Sequence, residues 1–600
     1  MTAAPSLIET PNLGTLPEWQ LDELFSGLDG ADFQSAIGKA TTDAAAFAEK
    51  WQGEITAATA MDLATAIKEY EALEDSIGLI ATFAGLTYAQ DASQPQTIRA
   101  YGETQAKLNT LTAPLIFFTL EINQIEEEPL NNLLAESPTL AHYRPWLDDV
   151  RTMRPHELPA DQEHLLHEKQ VTGRAAWTRL FDETFANLTV PLNGENQPVE
   201  VVLDQLQNPD GQVRKSAAAA LSNSFKTNMP LFTHITNTLA KDKAIEDRWR
   251  KFSAPEDARH LANQVEAPVV DALEQAVADA FPALSHRYYA WKAAQMGVKA
   301  LDFWDRNAPL PQDDDRLFTF DAARETVLTA YQRFSPALAE IGQTFFDKNW
   351  IDAPIRPGKA PGAFSHPAVP STHPFILLNY MGRTRDVMTL AHELGHGVHQ
   401  VLAADQGALM ADTPLTLAET ASVFGEMLTF QSLLKDAPDD AARRTLLAGK
   451  VEDMLNTVVR QIAFYRFERR VHADIAQGRE LTADDLGQHW LAVQRESLGN
   501  AITLNEGYEN WWCYIPHFIH SPFYVYAYAF GDCLVNALYA TYEAAPEGFE
   551  AKYIEMLKAG GTLRHKELLA PFGLDATDPA FWGNGLATIT KLMDQLEQLG

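Results

Sequence analysis

Residues 391–400 read AHELGHGVHQ, in which His392 and His396 stand four apart and Glu393 directly follows the first. On an α-helix four residues turn through about 400°, so both imidazoles leave the same face one turn apart and can reach one metal ion. Glu393 falls about 100° around from His392, where it can take a proton from a metal-bound water without ligating the ion. A catalytic zinc needs a third protein ligand and an open position. The candidate lies in DTPLTLAETASVFGEML (412–428), where Glu419 follows His396 by 23 residues. Thr413 is expected to cap a helix that opens at Pro414. Glu426, seven residues after Glu419, shares its face and is expected to orient a ligand histidine through the ring N–H. His399 lies nearly in line with His392 but a turn beyond His396, so it is read as a wall or supporting residue. The metzincin pattern would need glycine at 399 and histidine at 402; the residues are His399 and Leu402, which excludes that class. The expected cofactor is one Zn²⁺ per chain, held by His392, His396 and Glu419.

The elements that must position these groups are mostly helical. RTRDVMTLAHELGHGVHQVL places Val387, Leu390, Ala391, Leu394, Val398, Val401 and Leu402 on one apolar stripe beside the histidines. DLATAIKEYEALEDSIGLIATFAGL and KVEDMLNTVVRQIAFYRFERRVHADIA also carry apolar residues at helical spacing. Strand signals are few. LTVPLNGENQPVEVVL (188–203) reads as a hairpin, followed by an NPDG turn and an alanine-rich helix. HPFILLNYM (373–381) reads as a strand just upstream of the histidines. The run APLPQDDDRL (308–317) and the Gly- and Pro-rich run 355–374 read as loops, the second long enough to suggest function. The HPFILLNY strand is expected to offer an edge for a peptide backbone. The loop before it reads either as a flap that folds over that peptide, with Gly358 and Gly362 as hinges, or as a passive surface loop. Gly362 and His373 are assigned to substrate binding. The main division is placed near residue 190, giving an N-terminal helical domain (1–190) and a catalytic domain (191–600).

Composition narrows the partners. The 600-residue chain carries 81 acidic against 47 basic residues, a net charge of −34. Such a surface repels phosphate backbones and anionic lipid, so neither nucleic acid nor membrane is expected as a partner. The N-terminal run MTAAPSLIETPNLGTLPEWQ shows no secretory pattern, and no apolar run is long enough to span a bilayer. Cys513 and Cys533 are the two cysteines, which excludes a disulfide framework and fits a cytoplasmic location.

PGAFSHP, HPFILLNYMGRTRDVMTLAHELGHGVH, LAETASVFGEML and IPHFIHSPFYVYAYAFG together resemble the oligoendopeptidase F branch of the thimet-oligopeptidase-like metallopeptidases. Weaker similarity runs through GRAAWTRLFDETFANL and LKAGGTLRHKELLAPFGLD, so the resemblance covers most of the chain from about residue 170. It implies a mostly α, ellipsoidal zincin-type peptidase with a deep active-site cleft, a small β-sheet or hairpin near the metal, and internal cleavage of short peptides. His392, His396 and Glu419 carry over as ligands and Glu393 as the base. In this family a histidine and tyrosines approach the scissile carbonyl, which maps onto His517 and Tyr528, with Tyr524 next. His520 is read as structural, and Tyr526 as pointing away from Tyr524 and Tyr528. Rival readings are an aminopeptidase, which usually shows a GxMEN-type segment absent here, a carboxypeptidase, and a non-catalytic peptide-binding scaffold, which would have no need of Glu393. Oligomeric state is left open.

Overall fold

Helices dominate because the apolar residues recur at helical spacing along most of the chain, and strands are confined to short runs. The computed structural model describes residues 12–170, 172–310 and 316–599. Part of the 308–317 run lies outside the described residues. Among the described residues, no helix is long and apolar enough to cross a membrane.

The apolar side chains gather into two cores. One runs from Trp19 to Leu147 and is built on the long helix Ala60–Gln90. The other runs from Phe181 to Leu596. Packing therefore changes hands between Leu147 and Phe181, upstream of the hairpin at which the sequence pattern places the division. The two cores meet on the strand Phe375–Leu377. Phe375 and Leu377 belong to the first, while Ile376 and Leu378 belong to the second. Alternate residues of a strand face opposite sides, so one short strand buries into both bodies.

That strand is not an edge. It sits between Ile351–Asp352, which it pairs in parallel, and Phe364–His366, which it pairs antiparallel. The expectation of a free edge on HPFILLNY is corrected: apolar faces on both sides and partners on both flanks make it central, and the edges are Ile351–Asp352 and Phe364–His366. The latter strand lies inside the 355–374 run, which is therefore not wholly irregular. The expected hinge at Gly358 is instead an anchor. Gly358 (φ +85°) accepts from the Ala92 N–H at 2.7 Å, and the Ala360 N–H donates to Ala89 at 2.8 Å. Between them the buried Lys359 ammonium donates to Asp352 (2.6 Å), Pro354 O (2.7 Å) and Leu378 O (2.6 Å). At Gly362, Asn379 Nδ2 donates to the carbonyl at 2.9 Å.

The hairpin forms over Thr189–Leu192 and Glu195–Pro198, turning at Asn193 and Gly194, both at positive φ, as a two-residue hairpin turn of this hand requires. Val199–Asp204 is helical and not strand, because Val199 and Val202 bury together on one side of a single turn. The hairpin packs on the helix Gly211–Trp249, whose N-terminus Asp210 caps by accepting from the Gln212 N–H at 2.8 Å. The sheet that packs on the histidine-bearing helix is the three-stranded one. The predicted helix over KVEDMLNTVVRQIAFYRFERRVHADIA is two, Asp440–Thr457 and Val459–Ala476, broken at Val458 (φ −101°, ψ −66°).

Candidate functional site

The helix Thr384–Ala403 carries His392, Glu393 and His396. Asp386 accepts from the Arg383 N–H at 2.9 Å and holds its first turn. Val387, Leu390, Ala391, Leu394 and Val398 are buried, while Val401 and Leu402 pack partly exposed on the same core. The helix Leu415–Lys435 lies directly against it. Gly395 permits that approach: a Cβ there would stand 2.5 Å from Ala421 O and 2.6 Å from Ser422 Cα. Such closeness sets Glu419 across from the histidine pair. Its Oε2 is 3.4 Å from His392 Nε2 and 3.5 Å from His396 Nε2. One ligand atom from each of these residues lies within 4.8 Å of the other two.

Leu415 opens the second helix with Pro414 at its N-cap, one residue later than expected, and Thr413 makes no cap bond. The Thr413 hydroxyl is drawn instead to the buried His399, 3.5 Å from Nε2. His399 is held neutral by burial and by His396, which lower the pKa of its imidazolium to about 4. It stands behind the cluster, outside the set of converging ligand atoms.

Glu426 Oε2 meets His392 Nδ1 at 3.2 Å, which leaves Nε2 to face the centre of the cluster. The other oxygen of Glu426 accepts from Lys450 Nζ at 2.6 Å, and Lys450 is buried. Lys450 belongs to Asp440–Thr457, and neither the motif nor its spacing points to it. The signal it leaves is a lysine set among Leu446, Leu447, Val451 and Met454, all buried. Ser422 Oγ donates to Glu419 Oε2 at 2.6 Å, a further contact without a sequence signature. Lys450→Met is expected to weaken zinc binding about 10- to 100-fold, because Glu426 would lose its partner and its hold on the His392 ring. Competition against a chromogenic chelator measures this; an unchanged affinity would remove Lys450 from the site.

Electrostatics tests whether the donor set suits a cation. Burial pulls the His392 imidazolium down, but its bond to Glu426 and the charges of Glu419, Glu426 and Glu393 outweigh this and raise it to about 9. Burial takes His396 the other way, to about 4, with Glu419 opposing. Burial would raise Glu419, yet the two histidines and Ser422 hold it below the usual carboxylate range. Three carboxylates thus draw a positive charge into the space between two imidazoles, and on its own the chain supplies it as a proton. A divalent ion with His₂Glu ligation fits that demand.

Glu393 is 7% exposed. Burial raises its carboxyl to about 7, opposed by His392 and by the Ser365 N–H. Ser365 is fastened to the same helix: its Oγ donates to Gln400 Oε1 at 2.8 Å and its carbonyl accepts from Gln400 Nε2 at 3.2 Å. The strand Phe364–His366 therefore runs beside the base.

The helix Tyr526–Ala544 crosses Glu419 at Gly531, where a Cβ would stand 2.8 Å from the Glu419 Cβ. Tyr528 lies one turn earlier. Its hydroxyl is 3.2 Å from His517 Nε2, and its ring is 5.1 Å from that of Tyr524. Burial keeps the Tyr528 phenol protonated, reinforced by Tyr524 and Glu419. Burial, Arg460 and His520 keep His517 neutral. Tyr524 lies outside the helix, in the turn before it, after Phe523 at φ +60°. A positive φ at Phe523 breaks the helical path, so the two tyrosines meet through a turn. Tyr526 faces away, hydrogen-bonded to His260 and Asn263. His520 pairs with Asp182 at 2.8 Å. His373 stacks on Trp350 at 3.9 Å between ring centres and meets Glu23 at 2.8 Å, at the junction with the N-terminal body and outside the ligand cluster. Its substrate assignment has no counterpart in these contacts.

Comparison with known proteins places this geometry in a setting. The model of Peptidase family M3 matches residues 205–588, and that of Oligopeptidase F matches residues 121–189. Oligopeptidase PepF of Bacillus subtilis (strain 168) is 26% identical over 594 residues, covering 97% of this chain and 87% of its own. Group B oligopeptidase PepB of Streptococcus agalactiae is 27% identical over 518 residues, covering 84% of this chain and 85% of its own. The crystal structure of oligoendopeptidase-F from Enterococcus faecium superposes with a TM-score of 0.71 at 21% identity, covering 95% of this chain and 99% of its own. At that identity the superposition speaks for the fold.

Proposed function

This chain belongs to peptidase family M3, and from that membership we propose that it is a zinc-dependent oligoendopeptidase that hydrolyses internal bonds of short peptides. The observation that carries the reading is the convergence of His392, His396 and Glu419 within 4.8 Å, with Glu393 buried beside them. Restriction to short peptides follows the names of the oligopeptidase relatives. The acidic surface and two buried thiols support work in the cytoplasm without nucleic acid or membrane.

His392, His396 and Glu419 would hold the zinc. When bound, it supplies a Lewis acid and a water of lowered pKa. Glu393 accepts a proton from the attacking water and returns it to the leaving amine. In the metal-free chain burial holds the carboxyl near neutrality, opposed by His392. The Tyr528 hydroxyl, held by His517, donates to the carbonyl oxygen as negative charge gathers there. Lys450 and Glu426 keep the His392 ring in place throughout.

Tyr528→Phe should lower kcat about 100-fold with little change in KM, since its donor acts on charge that develops only in the transition state. Steady-state kinetics on one quenched peptide decides this; equal effects on a substrate's binding and turnover would argue for a positional role. The reading as a whole is tested with an internally quenched peptide blocked at both ends. Cleavage that stops with a zinc chelator and returns with added Zn²⁺ is the expected result. Zinc-loaded protein that cuts only free-ended peptides would make it an exopeptidase.

A further inference from the structure

Within a chain of net charge −34, partly buried arginines lacking a carboxylate partner call for explanation. Among the described residues, neither Arg306 nor Arg460 has a carboxylate within salt-bridge distance. Other such arginines in this half of the fold donate to carbonyls: Arg174 to Ile519 and His520, Arg259 to Pro522. Arg460 donates instead to the Tyr514 hydroxyl at 3.0 Å and lies over the Phe464 ring at 5.0 Å. Arg306 has Tyr289, Tyr508 and Tyr514 as its electrostatic neighbours. Both Nε atoms are buried without a hydrogen-bond partner. The carboxylate near Arg306, Glu452, is already bound by Lys292 at 2.6 Å and by Tyr288 at 2.6 Å.

The pair is also close to the chemistry. Tyr514 precedes His517 by three residues, and the charge of Arg460 is felt at the His517 ring. Tyr528 is hydrogen-bonded to His517 and Arg460 to Tyr514, and electrostatic neighbourhood links Glu419 to Tyr528, His517 to Arg460 and Tyr514 to Arg306. A guanidinium is a planar fork matched to a carboxylate, and aromatic walls strengthen such a pair by lowering the local dielectric.

We propose that Arg460 and Arg306 receive a carboxylate of the bound peptide, so that its distance from the scissile bond selects which bond is cut. The inference rests on the peptidase reading and adds the substrate feature that is recognised. Two sources present this chemistry: the C-terminal carboxylate and an acidic side chain near it. A receptor of either kind gives the enzyme a ruler measured from the charge.

The test uses zinc-loaded enzyme and quenched peptides in matched pairs, free acid against C-terminal amide, and Glu against Gln near the C-terminus. The expected result is a preference of about tenfold or more in kcat/KM for one charged member, carried by KM. In Arg460→Met and Arg306→Met that preference should fall towards one, with zinc content and circular dichroism as in the parent. Arg460→Lys keeps the charge without the fork and should recover part of the preference. Preference for the acid over the amide identifies the C-terminus, and preference for Glu over Gln identifies the side chain. No preference in the parent, or equal losses for both members of each pair in the arginine variants, overturns the proposal. Calorimetric binding of the same pairs to the Glu393→Gln protein separates the two readings. If the parent cuts nothing, the peptidase reading fails, while a charge-dependent affinity lost in Arg460→Met still upholds the receptor.

Discussion

Glu393→Gln should bind zinc as the parent does and lose about three orders of magnitude in kcat/KM, within the 10²- to 10⁴-fold range of general acid–base catalysis. The amide has the shape of the carboxyl and fills the same buried place, so the helix and its ligands are undisturbed. What it lacks is a basic oxygen. In the metal-free chain burial raises this carboxyl to about 7, with the nearby His392 opposing; a bound cation would favour the ionised form that takes the proton. Gln cannot take one at any pH. Metal analysis and steady-state kinetics on the same sample give the answer together. A zinc-loaded variant keeping a tenth of parental activity would sink the role of Glu393 as base.

His396→Ala should fail in the opposite way, by losing the ion. Removing one of three ligands leaves His392 and Glu419, and the zinc content should fall from one per chain to near zero after dialysis. Because zinc binds the folded chain and not the unfolded one, added Zn²⁺ should raise the melting temperature of the parent. In His396→Ala that zinc-dependent rise should disappear. Glu393→Gln should keep it, so the pair separates a ligand from a base in one experiment. Zinc bound to His396→Ala with parental stoichiometry and affinity would contradict the ligand set.

How much was legible depends on how local the cause is. His392, Glu393 and His396 lie within one turn and a residue of each other, and helical geometry alone puts both rings on one face. The apolar stripe behind them needs the same periodicity, and Val387, Leu390, Leu394 and Val398 are indeed buried. Glu426 shows a different limit. Its spacing from Glu419 puts the two on one face, yet that its oxygen meets His392 Nδ1 at 3.2 Å depends on how close two helices come. That approach is set by Gly395 against Ala421 and Ser422. Lys450 had no motif to announce it, because its partner Glu426 lies on another element.

The strand at 373–381 marks the boundary between the two kinds of information most clearly. Composition alone shows that Phe375–Leu377 favours extended backbone, and the residue pattern alone gives the mostly helical class, the histidine pair, the candidate third ligand and the acidic surface. Whether that strand is an edge or a centre was decided by what packs on its two faces and flanks: Ile351–Asp352 on one side and Phe364–His366 on the other. Tertiary structure likewise decided that Gly358 is an anchor, that Thr413 serves His399 in place of a helix end, and that Tyr524 reaches Tyr528 through a turn. The physical reason is common to all of these. Periodicity reports which face of an element is apolar, whereas a contact between distant segments depends on where several such faces come to rest against one another.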